Sequence, residues 1–62
     1  MKRGTRVSWL AEGATVRGHG ITIVDEEDGH ILVAVDGGVL DLPIAYHPVI
    51  YCTVTWLTVE NG

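Results

Sequence analysis

Alternation of apolar and polar positions divides the chain into short extended segments, and no stretch carries a helical period. In TRVSWLA, residues 5–11, Val7, Trp9 and Ala11 fall on one side and Arg6 and Ser8 on the other, as in a half-buried strand. VRGHGITIVD, residues 16–25, predicts a second strand interrupted by Gly18 and Gly20. If Ile21 and Ile23 turn to the core, strict alternation puts Arg17 and His19 there too. A bulge at one of the glycines restores the parity.

The next break is EEDGH. Its Asp28-Gly29 pair predicts a tight hairpin, because Gly supplies the positive φ such turns need. HILVAV, residues 30–35, returns with Ile31, Val33 and Val35 inward. DGG, residues 36–38, predicts a second turn. It leads into VLDLPI, where Leu40, Leu42 and Ile44 are the inward set and Pro43 ends the strand or holds it at an edge. Two successive hairpins make a three-stranded meander. After AYHP comes VIYCTVTWLTV, residues 49–59, in which eight of eleven positions are apolar or aromatic and the other three are Thr. Its β-branched and aromatic content predicts a strand, with Ile50, Cys52, Val54 and Trp56 on one face and Tyr51, Thr53, Thr55, Leu57 and Val59 on the other.

Five short strands with tight turns predict an all-β fold in one domain spanning residues 1–62. GTRVSW at the start, the Gly18 and Gly20 bend, the EEDG and DGG turns and DLP before the closing strand resemble the small SH3-like barrels, including KOW and Tudor-type modules. The resemblance implies a five-stranded antiparallel barrel, completed or extended by oligomerisation. One departure is visible: the closing strand of such barrels is usually short, whereas this apolar segment continues for about ten residues. GTRV is also similar to the opening strand of the plasmid-type dihydrofolate reductases, which tetramerise around a pore. Their pore-lining Val-Gln-Ile-Tyr stretch has no counterpart here, so that activity is not carried over.

A chain of 62 residues sits near the size where a single core gives thin stability. Disulfides, metals or association usually make up the difference. Cys52 is the only cysteine, and no CxxC or CxxH spacing offers a zinc site, which leaves association. An apolar content of 47% and a mean hydropathy of +0.27 agree, being high for a chain with so little interior. No run of about 18 uncharged apolar residues predicts a membrane span, and the first residues lack the apolar core of a secretory signal. The expectation is a cytoplasmic protein with a reduced thiol and no cofactor. Cys52 itself reads as a small buried hydrophobe.

Charge disfavours nucleic acid. The net value is −4, and all four basic residues (Lys2, Arg3, Arg6, Arg17) lie in the first 17 positions. The run Asp25–Asp28 lacks the spaced ligands of a calcium loop and reads as a solvated hairpin tip. His19, His30 and His47 show no metal-ligand spacing, and counting back from the hairpin puts His19 and His30 out of register. There is no catalytic triad elbow, phosphate loop or framed carboxylate pair, so an enzyme working alone is not expected. Trp9 and Trp56 read as core and interface packing. Tyr46 and Tyr51 are left for ligand contact, and Tyr46 with His47 forms the candidate pair.

The functional expectation follows from the surplus of apolar side chains. Alternation sends Leu10, Val24, Leu32, Ala34, Tyr51, Leu57 and Val59 outward, along with Val39. Monomers rarely expose such a contiguous set. The expected interface is Leu32, Ala34, Tyr51, Thr53, Leu57 and Val59, used by a non-catalytic binding or assembly module to meet its own copies or another protein. The alternatives are a ligand-binding or catalytic pore at a symmetry axis and a KOW-like module that contacts nucleic acid.

Overall fold

The computed structural model describes residues 1–36, 43 and 46–60. Five strands, β1 (Arg6–Trp9), β2 (Gly18–Thr22), β3 (His30–Val35), β4 (Val49–Thr53) and β5 (Thr58–Val59), form one antiparallel sheet in the order β4-β3-β2-β1-β5. A 3₁₀ turn, Val54–Trp56, joins β4 to β5. The expected all-β, five-stranded antiparallel fold is present. Its closure into a barrel is not, because β4 and β5 remain the two edges of the sheet.

Those edges are nevertheless close. In a flat sheet four inter-strand spacings would set them about 19 Å apart. The link from Thr53 to Thr58 spends three residues in a 3₁₀ turn and reaches only about 13 Å. The sheet must therefore curl, and the last segment crosses its concave side. That crossing closes the core: Ile50, Cys52, Val54 and Leu57 pack against the buried cluster Val7, Trp9, Ile31 and Val33.

The β2–β3 hairpin forms as its residues predict. Asp28 and Gly29 have φ of 52° and 74°, the paired positive values of a type I′ turn, and Glu27 and His30 exchange backbone bonds of 2.9 and 3.0 Å across it. β3 then pairs with β2 through Ile21↔Ala34 and with β4 through Val33↔Ile50. The third strand of the meander is thus Val49–Thr53. The strand expected over 39–44, with its inward Leu40, Leu42 and Ile44, lies outside the described residues apart from Pro43, and Val39 lies outside them too.

The faces of β2 are the main correction. Gly18, Gly20 and Thr22 lie on the concave side, level with Trp9, Val7 and Val33, while His19 and Ile21 point to the convex side. Ile21 is therefore not a core residue. No bulge interrupts the pairing of β2 with β1 or β3, because the glycines themselves occupy the core side. A Cβ on Gly18 would stand 2.4 Å from the Trp9 indole, so a large side chain on β1 fills the space β2 leaves empty. Trp56 stacks on Trp9 at 5.8 Å between ring centroids but stays 42% exposed, a partial cover rather than the core residue expected.

Thr22 shows why a polar residue sits in this core. Its hydroxyl donates to the Lys2 carbonyl at 2.7 Å and accepts the Thr5 amide at 2.9 Å, tying the N-terminal segment across β2. Thr22→Val keeps the shape but leaves the Thr5 amide without its acceptor and the Lys2 carbonyl with only the Thr5 hydroxyl. Chemical denaturation is expected to show a loss of about 1–3 kcal/mol.

Candidate functional site

Two cross-strand rows lie at the β4 side of the convex face, above the pair His30↔Thr53. In one, Ile21, Ala34 and Val49 lie side by side; in the next, Leu32 pairs with Tyr51. The ends of the face are polar. Arg6 meets Asp36 at 2.9 Å, His19 meets Glu60 at 2.9 Å, and the Arg17 guanidinium donates to the buried Ser8 hydroxyl at 2.9 and 3.2 Å. These groups lie toward β1 and β5. β4 itself carries no charged side chain and is exposed on this face: Val49 is 49% and Tyr51 68% accessible, and Thr53 is exposed beside them.

The His30 ring stacks on Tyr51 at 5.3 Å with planes 12° apart. The pairings His30↔Thr53 and Leu32↔Tyr51 put both rings on the convex face, diagonally across β3 and β4. A cleft of about 460 Å³ opens there, lined by Val24, Leu32, His30 and Tyr51 together with Asp25, Glu27 and Asp28. A second, shallower groove of about 580 Å³ lies between the N-terminal segment and the last turn, along Lys2, Thr5, Glu26, Val54, Leu57 and Val59.

The residues expected at an interface divide into two groups. Leu32, Tyr51 and Thr53 share the convex face beside the sheet edge. Ala34 lies in the same face but is 0% accessible, so it supports its neighbours and presents nothing to a partner. Leu57 packs against the core cluster, and Val59 is level with Val7 on the concave side. Both were placed outward by extending one alternation through residues 49–59. The 3₁₀ turn breaks that parity. Sequence reasoning in turn missed Val49, which opens β4 and sits next to Ala34.

Tyr46 and His47 precede β4 in a turn where the Tyr46 amide bonds the Pro43 carbonyl at 2.9 Å. Tyr46 is exposed and His47 half-buried, and neither is among the described residues that line the two clefts. Cys52 is half-buried on the concave side, and desolvation pushes its thiol pKa up. A thiol of that kind reacts slowly, so an aromatic disulfide reagent at mildly alkaline pH is expected to modify it about tenfold more slowly in the native protein than in denaturant. Among the described residues no three His, Cys, Asp or Glu side chains are grouped to hold a metal ion, and no helix is long and apolar enough to cross a membrane.

No family model, curated protein or solved structure matches this chain.

Proposed function

We propose that this protein is a small SH3-like assembly module that works by sharing the β4 side of its convex face with other copies, without catalysis of its own. The observation that carries the reading is the run of uncharged, accessible side chains from Leu32 through Tyr51 to Val49, ending at a sheet edge with which no strand pairs among the described residues. Apolar and aromatic surface in one contiguous patch is what associating proteins bury. The strand order and the 3₁₀ crossing support the SH3-like part of the reading, since they curl five strands around a single concave core.

Leu32→Glu tests it. A charge at the β3 end of the patch disfavours burial there, while the half-buried position next to solvent lets the fold persist. Wild type is expected to elute in size exclusion ahead of a 6.7 kDa particle, and Leu32→Glu at the single-chain volume with unchanged circular dichroism. Identical elution of both proteins as single chains would remove the reading.

A further inference from the structure

We propose that a second copy of this chain pairs with the free edge of β4, antiparallel and in the register that sets Tyr51 opposite Tyr51 of the partner subunit. The inference rests on the assembly reading above and adds the strand, the register and the partner.

The ladder between β3 and β4 decides which backbone groups are free. The Val35 amide bonds the Pro48 carbonyl at 2.7 Å, and the Val54 amide bonds the Gly29 carbonyl at 2.9 Å, bracketing the strand. Bonding alternates along an antiparallel pair, so Ile50 and Cys52 direct their N–H and C=O groups to β3. Val49, Tyr51 and Thr53 direct theirs away from the sheet. Among the described residues no strand pairs with that side of β4.

A twofold axis at Tyr51 matches all of these groups at once. Tyr51 exchanges both bonds with Tyr51 of the partner subunit, and Val49 does so with Thr53 of the partner subunit. Any shift along the strand leaves one end without a partner. Pro48 does not obstruct this pairing, because its missing N–H is on the side facing β3. The opposite edge, β5, has only two residues and offers much less.

Charge selects the same arrangement. Strands exposed at sheet edges are commonly guarded by charged side chains or interior prolines, and VIYCT has neither. The acidic hairpin tip, Asp25–Asp28, lies at the Thr53 end of β4, because His30 is level with Thr53. Antiparallel pairing sends the two tips to opposite ends of the joint sheet, whereas parallel pairing would bring them together in a chain of net charge −4. The convex faces then join on one side, with the two Tyr51 rings adjacent across the axis.

Amide exchange and a mixed-label NOE experiment on the wild-type chain test the proposal. On going from dilute to concentrated protein, the amides of Val49, Tyr51 and Thr53 are expected to slow by about tenfold or more, with Ile50 and Cys52 unchanged. In a sample mixing labelled and unlabelled chains, the Ile50 Hα is expected to show an intermolecular NOE to Cys52 Hα of the partner subunit, the close pair this register creates. An oligomer whose Val49, Tyr51 and Thr53 amides stay unprotected would overturn the edge pairing and leave the shared face standing. A chain that stays single at millimolar concentration would overturn both and leave the edge to a strand of another protein.

Discussion

Gly20→Ala is expected to lower the midpoint of thermal unfolding by about 10 °C or more, the largest effect of any single added methyl group in the described strands. A Cβ at Gly20 would stand 2.4 Å from the Ala34 carbonyl oxygen and 2.8 Å from a Val33 methyl. The first of these is backbone in the central strand and cannot rotate away, so β2 and β3 must separate locally or the pair must lose its register. Gly18→Ala meets the Trp9 indole instead, a side chain able to tilt at the cost of its stack with Trp56. Its effect is expected to be smaller and to appear as a change in tryptophan fluorescence. Gly13→Ala serves as the comparison. Nothing lies within 4 Å of its Cβ, and only its φ of 80° opposes the change, at about 1–2 kcal/mol.

The second large effect concerns assembly. Tyr51→Lys is expected to weaken self-association at least about a hundredfold while leaving the monomer folded. The native ring is 68% accessible and touches only the His30 ring among the described aromatic groups, so the fold loses little. The proposed dimer loses much more. An aromatic pair worth about 0.5–1.5 kcal/mol disappears, and two like charges stand opposite each other at the axis. Sedimentation velocity measures the change. Raising the salt concentration should restore part of the association in Tyr51→Lys, because screening acts on the charges and not on the lost rings.

The pattern of residues showed some features directly and hid others for identifiable reasons. The hairpin at Asp28-Gly29 was legible because a type I′ turn needs two positive φ values and few sequences supply them. Val7, Trp9, Ile31 and Val33 were legible as core because they fall at every second position of two short segments rich in β-branched and aromatic residues. The orientation of β2 was not. A period of two says that Gly18, Gly20 and Thr22 share a face, but not which face, and the isoleucines bias any reading toward the wrong one. Only the size of Trp9 on the neighbouring strand explains why the empty side of β2 points inward.

Residues 49–59 were legible as extended and apolar but not as two strands. Nothing in VTW marks a 3₁₀ turn: Thr53 makes no side-chain cap, and the segment contains neither Gly nor Pro. The turn arises because the chain must cross from one sheet edge to the other, a demand set by topology and invisible locally. As a result Leu57 moved from the expected interface to the core, while Tyr51 and Thr53 kept the face that alternation gave them. Val49 was missed because strand ends are the least defined part of a periodic pattern.

Light scattering coupled to size exclusion, run on the unmodified chain from micromolar to millimolar concentration, bears most directly on all of this. The mass is expected to rise to twice 6.7 kDa with no intermediate plateau. A mass fixed at that of one chain throughout would show that Tyr51, Val49 and Leu32 remain open to solvent, and that the sheet ends at β4.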